Sequence, residues 1–455
     1  MKRYILAALA VIGLAGNVLA QNWTGKGNTV AEGDYYLYNV KSGKYLTWGT
    51  NYGTRASLVQ QAGEIITLTA SGSGYKITIP DITKTKKGLF LNDSNIPFCD
   101  NDAAEFIFAE TSAGSKVYTI SSNSRYLACR SDYSAEPSPL ETTDNASNEG
   151  ATWMLIKKQD RIDALNSATA SNPVDATFFI KGAEINENFD NAGAWEGTDP
   201  TFDGRKGNLE ATGFAAENYW GASVESYQIL TGLPAGKYRL SCYGFYRDGS
   251  ATDAGTKNAN GTEDIKSYLF AGSNQTPLSS IMEGSNSSNG DGGTEAVSGK
   301  WVPNSMAEAV LFFFRGRYPA VTVDAIVGDD GQLKIGIRKD AGTEQKWTIW
   351  DRFRLTYYGD DLTSYAEALS DAVNAANAFI DTHVVPAAAE NAITLVINEN
   401  NKEYTTKTDY INATQAINDA VALYNTDELK AAYAAFNSSV LYNATASLIA
   451  CVALI

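Results

Sequence analysis

Five places in the sequence set an aromatic ring beside side chains that hold hydroxyl groups. Trp195 stands near Glu196 and Asp199, and Tyr219-Trp220 follow Glu217 and Asn218. Trp301 comes shortly before Asn304, and Arg315 and Arg317 lead into Tyr318. Tyr246-Arg247-Asp248 end a strand-like run where a long polar loop begins. A sugar ring is held by stacking one apolar face on an aromatic ring while amide, carboxylate or guanidinium groups take its hydroxyls. The candidate binding residues are therefore Trp195, Glu217, Tyr219, Trp220, Tyr246, Arg247, Trp301, Arg315 and Arg317. Each alone also suits a core or a rim, so the chemistry needs a loop cluster drawn from several. Trp347 and Trp350 flank a strand and read as structural.

Catalytic chemistry finds less to stand on. The single histidine, His383, rules out multi-histidine zinc sites and HExxH proteases. It also sits in an Ala-rich helical segment, far from any strand-turn-helix nucleophile setting. There is no GxSxG, no GxGxxG in a βαβ setting and no P-loop. A glycosidase needs two carboxylates about 5–10 Å apart in a cleft, but no segment reads as a barrel that would build one. The expectation is a protein that is not an enzyme.

Composition narrows partners and location. The chain has 455 residues, enough for two to four domains, and a net charge of −16 that repels nucleic acid and anionic membranes. Four cysteines are too sparse for a disulfide scaffold; Cys99 and Cys129 fall in one region and could pair. Lys2-Arg3, the apolar run from Tyr4 and Val18-Leu19-Ala20 before Gln21 read as a secretory signal over 1–20. Without a cysteine after the cleavage point, the mature chain is not lipid-tethered there. It is expected to be exported: extracellular, at the cell surface or periplasmic. The apolar tail Ser447–Ile455 is too short to span a bilayer.

Three regions follow. Over 28–158 the pattern Tyr35–Asn39, Ser-Gly turn, Lys44–Trp48 recurs as Tyr75–Ile79 with Leu89–Asn92, and as Val117–Ile120 with Tyr126–Cys129. Each copy adds a short strand (Ile65–Leu68, Phe106–Phe108, Trp153–Ile156), with a period of about 40 residues. Three such copies predict a closed three-fold β-barrel with a hairpin cap. Residues 159–173 read as a short helical linker. Over 174–358, Gly236–Arg247, Leu333–Arg338 and Ile349–Tyr357 alternate cleanly between Gly-rich turns, predicting an antiparallel sandwich. The stretches 247–265 and 283–299 read as surface loops. Over 360–455, Tyr365, Ala368, Leu369, Ala372, Val373, Ala376 and Phe379-Ile380 form one helical face, and Asp409 is expected to cap a further helix through Leu423. The predicted fold class is mainly β and multidomain, with a C-terminal α-helical bundle.

The first region resembles the β-trefoil family that includes ricin-type lectins. Of that family's Gln-x-Trp signature only Trp153 remains, in Ala151-Thr152-Trp153, where the resemblance implies a core position. The second region resembles the galactose-binding-like jelly-roll modules of secreted glycan-handling bacterial proteins. Ile185–Phe189, Trp195, Glu217–Tyr219, Tyr227-Gln228, Gly232–Tyr238, Gly244–Arg247 and Trp350–Leu355 carry that likeness. It implies a sandwich that binds carbohydrate without cleaving it. Such sandwiches often hold a structural calcium, for which Asp351 opposite Glu187 or Asn188 is the candidate set. Strand alternation puts Asp351 on the apolar face of Phe353, Leu355 and Tyr357, so it must be paired or hydrogen-bonded. Acceptance of backbone N–H groups is the favoured alternative to calcium. The third region resembles, more loosely, helical spacers of bacterial surface proteins. Together these readings point to a secreted, non-catalytic, carbohydrate-binding protein whose partner is a polysaccharide or glycan. A protein-binding adhesin or surface assembly subunit, with other surface proteins as partners, is the alternative; a polysaccharide-degrading enzyme is the weaker one.

Overall fold

The computed structural model describes residues 23–50, 54–82, 84–131, 138–183, 195–197, 201–204, 215–219, 223–287, 292–340, 346–382 and 387–424. The signal segment, Glu187, Asn188, Trp220, His383 and the apolar tail lie outside them.

The repeats form strands where alternation placed them. The first copy gives β1 (Gly33–Asn39), β2 (Lys44–Thr50), β3 (Arg55–Val59) and β4 (Ile65–Ser71). The second gives β5 (Gly74–Thr78), β6 (Gly88–Leu91), β7 (Pro97–Asn101) and β8 (Glu105–Glu110). The third gives β9 (Tyr118–Ser122), β10 (Arg125–Ala128), β11 (Ser138–Pro139), β12 (Glu141–Thr143) and β13 (Trp153–Ile156). The leading strands pair alike: β1 with β2, β4 and β13; β5 with β4, β6 and β8; β9 with β8, β10 and β13. Taken together, however, the thirteen strands do not form the single closed barrel that was expected. Their order runs between two ends, β11 and β12, with β2 and β8 branching off. Short hairpin strands cause this, because β11 and β12 each pair one neighbour only. Trp153 is fully buried, its indole N–H donating to the Leu127 carbonyl at 2.9 Å. Cys99 is not bridged to Cys129; burial pushes its thiol far above the usual range.

Helix α1 (Lys158–Leu165) is shorter than the linker reading and delivers one decisive side chain. Arg161, 4% exposed, donates to the carbonyls of Ala62 (2.8 Å) and Gln61 (2.5 Å) and lies 3.3 Å from Asp175. Its guanidinium sits over the rings of Tyr36, Tyr45 and Phe178 at 4.6, 4.2 and 4.4 Å. Asp175 lies in β14 (Val174–Asp175), which pairs with the last strand of the second region.

That second region also contains β15 (Glu196–Gly197), β16 (Thr201–Gly204), β17 (Ala215–Tyr219), β18 (Val224–Leu230) and β19 (Gly236–Arg247). Further on come β20 (Ser267–Ala271), β21 (Asn274–Pro277), β22 (Ser279–Ser280), β23 (Thr294–Val297) and β24 (Lys300–Val302). It ends with β25 (Val321–Val327), β26 (Leu333–Lys339) and β27 (Trp347–Tyr357). A seven-stranded sheet is built on β19 and β27, and a five-stranded sheet runs β15-β18-β26-β20-β21. All their ladders are antiparallel except β19–β22, which is parallel. Tyr238, Leu240, Phe353 and Leu355 from one sheet and Leu269, Leu333, Ile335 and Ile337 from the other share one core.

Both expected surface loops carry structure instead. Helix α2 (Ala251–Asn260) is capped by a reciprocal Ser250–Asp253 box, and β23 falls in the second loop. With α3 (Met306–Phe314) they cover the other face of the seven-stranded sheet over Phe245, Trp347 and Ile349. Arg352, at φ 57°, forms a bulge where the β19–β27 register shifts, placing two residues opposite one. That extra residue reverses the alternation. Trp350 and Phe353 both face the shared core, so Asp351 lies on the side of Trp347 and Ile349, not with Phe353 as alternation alone implied.

The last helices are α4 (Leu362–Thr382), α5 (Ala387–Asn400) and α6 (Lys407–Tyr424). The expected face of α4 packs against Ile393, Ile397 and Ile417. Thr406, not Asp409, occupies the cap position; Asp409 completes the box three residues on, accepting the Thr406 hydroxyl at 2.7 Å. Lys237 of β19, nearly buried, reaches Asp371 of α4 at 2.8 Å and Asp324 at 3.3 Å, and so seats the helices on the sheet.

Truncating Arg161 to Ala leaves Asp175 and two carbonyls unpaired, so urea denaturation should show a loss of about 3–5 kcal/mol. Arg161→Lys should recover little of it, because one ammonium cannot serve both carbonyls and three rings. Glu64 offers a pH test. Burial, then repulsion from Asp81, pushes its carboxyl from 4.5 up to about 8, with Lys181 opposing. A raised folded-state value stabilises fully below about 4.5, and that contribution is lost as pH rises through 8. Stability should fall across that window, and Glu64→Gln should flatten the profile.

Candidate functional site

Of the candidate aromatic residues whose side chains are described, Trp195 and Tyr246 are packed inward. Trp195 is 7% exposed, packs at a tilt on Phe353 at 4.6 Å between centroids and donates to the Gly182 carbonyl at 3.3 Å. Tyr246 is fully buried; desolvation, then the nearby Asp248 charge, drives its phenol far above the usual range. Arg247 is buried over the Trp347 ring at 4.8 Å, donating to Gly249 (3.0 Å) and to Asn304 Oδ1 (2.5 Å). Burial lowers its guanidinium to about 10. Glu217 and Tyr219 lie in β17 at register with Trp350 and Thr348. Trp301 is half-buried in β24. Arg315 caps the C-terminus of α3 and Arg317 follows, both exposed, about 13 Å along the helix axis from its start near Asn304. Among the described residues, Arg247 and Asn304 are brought together, while Tyr246 faces the opposite side of the strand.

A charged cluster forms around Asp248, just past the end of β19. Asp248, 1% exposed, meets Lys257 at 2.8 Å, Lys346 at 3.2 Å and the Asp264 backbone N–H at 3.0 Å. Burial opposes its charge, but these partners outweigh it and hold the carboxyl below the usual range. Asp351 accepts the Arg352 N–H at 2.7 Å, the favoured alternative to a metal. Among the described residues no group of three or more His, Cys, Asp or Glu could hold a metal ion, so no step is built on calcium.

Another aromatic group lies on the outer face of the five-stranded sheet. Val224 and Leu230 of β18 and Leu269 and Ala271 of β20 face the core, so Tyr227, Tyr268 and Phe270 lie on the other face, where Tyr227 is half-buried and Tyr268 and Phe270 are only 7 and 8% exposed. Two glycines let two of these rings pack against the sheet. A Cβ on Gly197 would stand 3.0 Å from the Tyr227 ring, and one on Gly336 would stand 3.0 Å from the Phe270 ring. Lys334 Nζ lies 3.9 Å from the Tyr227 centroid and pairs with Glu225; the Arg338 guanidinium lies 5.4 Å from Tyr268. Arg338 also meets Asp340 at 3.2 Å. The arrangement offers one ring in reach of solvent, Tyr227, beside a carboxylate and two cations. Alternation in Leu333–Arg338 already set Lys334, Gly336 and Arg338 opposite the core. Tyr268 and Phe270 gave no such signal, since their strand reads as buried on both faces.

No protein family matches the chain, and no curated protein does. Among solved structures, the ricin B-like lectin of Macrolepiota procera in complex with lactose is similar at 13% identity over 29% of this chain and 99% of that one, with a TM-score of 0.26. The Rhizoctonia solani agglutinin is similar at 17% identity over 29% and 99%, TM-score 0.24. TmCBM61 in complex with β-1,4-galactotriose is similar at 18% identity over 36% and 90%, TM-score 0.20.

Because Trp195 is core, Trp195→Ala should cost about 3–5 kcal/mol in chemical denaturation. A variant of unchanged stability would show that the indole is not held as described.

Proposed function

We propose that this is an exported, non-catalytic carbohydrate-binding protein whose ligand surface is the outer face of the five-stranded sheet. The observation that supports the reading is the half-buried Tyr227 ring packed against Gly197, with the nearly buried Phe270 packed against Gly336 on the same face. A flat apolar face flanked by Glu225, Lys334 and Arg338 matches what a sugar presents: C–H groups on one face and hydroxyls around the rim. Trp301, Arg315 and Arg317 belong to the cover on the opposite side of the sandwich and are not part of this surface, while Trp195 and Tyr246 pack in the core shared by the two sheets.

The finer architecture belongs to the same proposal. The alike pairing of β1, β5 and β9 supports a β-trefoil type of repeat over 28–158, and the Asn28 N–H to Leu155 carbonyl bond (2.8 Å) ties its two ends. Pairing of β14 with β27 supports a separate jelly-roll unit over 174–358, joined by 159–173 and followed by helices from 360. No described helix is long and apolar enough to cross a membrane.

Affinity electrophoresis in polysaccharide-containing gels tests the reading. Tyr227→Ala should weaken retention on a retarding glycan roughly tenfold, about 1.4 kcal/mol, without changing the fold by circular dichroism. No retardation by any plant or host glycan, or retention untouched in Tyr227→Ala, would sink it.

A further inference from the structure

A cavity of about 550 Å³ lies where the N-terminal β region, helix α1 and the two-sheet region meet. It falls within the size range of small-molecule sites, about 300–1,000 Å³. None of the residues considered so far for sugar binding lines it. Its floor includes Arg161, whose guanidinium is locked by the Gln61 and Ala62 carbonyls, Asp175 and three rings. The floor is therefore rigid and cannot collapse to fill the space.

The walls have a definite chemistry. Trp23 and Tyr45 supply aromatic surface. The Trp23 indole folds back over Gly25, where a Cβ would stand 2.4 Å from its ring, and the Trp23 backbone N–H is anchored on the Tyr38 hydroxyl at 3.1 Å. Gln60, Gln61 and Asn28 supply planar amides, with Asn28 fixed by donating to Asp160 at 2.6 Å. Asp160, Asp163 and Asp175 supply carboxylates against two cations, Lys26 and Arg161. Three carboxylates and an already paired guanidinium disfavour an anionic ligand. Amides that both donate and accept, beside carboxylates that accept, around aromatic walls suit a neutral polyhydroxylated molecule.

We propose that this junction is a second binding site, for a short neutral saccharide, distinct from the sheet face. A ligand seated there touches the first region through Gln60 and Tyr45 and the linker through Asp163, so occupancy also braces the joint between the two β regions. The ligand class is shared with the sheet-face reading, but the residues are separate and the two can fail independently.

The test isolates the cavity by working in the full chain carrying Tyr227→Ala. Isothermal titration with lactose and cellobiose should give binding at or tighter than about 10 mM, and glucose 6-phosphate should bind more weakly. Ser167→Trp, which places an indole in the cavity mouth from an exposed position, should weaken binding at least tenfold. Gln60→Ala, at an exposed position where folding is not at stake, should weaken it several-fold. Saccharide should also raise the melting temperature of the parent and not of Ser167→Trp. The proposal is overturned if neither disaccharide binds, if both cavity variants bind as the parent does, or if the sugar phosphate binds more tightly. Retention of the otherwise unaltered Ser167→Trp chain in polysaccharide gels should persist, since it reads the sheet face alone.

Discussion

A guanidinium removed from water is costly unless its donors and charge find partners, and the buried Arg161 finds three acceptors and three aromatic rings by drawing on both β regions at once. Gln61 and Ala62 reach it from the first, Asp175 and Phe178 from the second, while α1 carries it between them. The same contact desolvates its neighbours: Tyr36 and Tyr45 are pushed up to about 12, chiefly by burial, although the adjacent cation pulls them down. The hydroxyls therefore stay neutral across the physiological range. The packing fixes where β14 enters the seven-stranded sheet, and with it the floor of the junction cavity.

A second constraint is that the seven-stranded sheet is covered on both sides. Its inner face shares a core with the five-stranded sheet, and its outer face is taken by α3 toward Phe245 and by α4 toward Lys237. Nearly every ring on β19 and β27 is consumed by packing, which is why Tyr246, Trp347 and Trp350 present no surface. Among the described residues no helix covers Tyr227 and Ile229 of the five-stranded sheet, the latter 49% exposed, so Tyr227 is the ring left to meet a ligand, while Tyr268 and Phe270 are nearly buried. Charge is arranged to match. Asp248 is neutralised inside by two lysines, and Asp324 is held below the usual range despite its burial by the bidentate Arg239, at 2.6 and 2.7 Å, and by Lys237. The ionic groups near the strip at Glu225, Lys334 and Arg338 stay partly in solvent.

Much of the secondary structure was legible from periodicity. Gly236–Arg247 reads as a strand and is one from end to end, because a Gly-Leu-Pro-Ala-Gly turn starts it and apolar alternation sustains it. The α4 face from Tyr365 to Phe379 was equally plain, since small and apolar residues recur at three and four. Helix α3 was missed. Its Met-Ala-Glu-Ala-Val-Leu-Phe-Phe-Phe run is apolar on most sides, so it shows little period and reads as neither strand nor helix. The side of Asp351 was misjudged for a different reason: strict alternation assumes an unbroken ladder, and one residue in the left-handed region at Arg352 reverses it.

The linear chain by itself determined the repeat, the strand positions, the scarcity of catalytic groups and the aromatic-polar chemistry suited to a sugar. These are local properties, set by residue type and spacing. Tertiary structure alone decided which rings remain exposed. Exposure depends on what another part of the chain lays over a residue, and Trp195 and Tyr227 differ in nothing local that foretells it. One is buried against Phe353 and the other lies half-buried against Gly197. The junction cavity was likewise invisible, because its walls come from residues near 25, 60, 160 and 175 that meet only when Arg161 finds its partners.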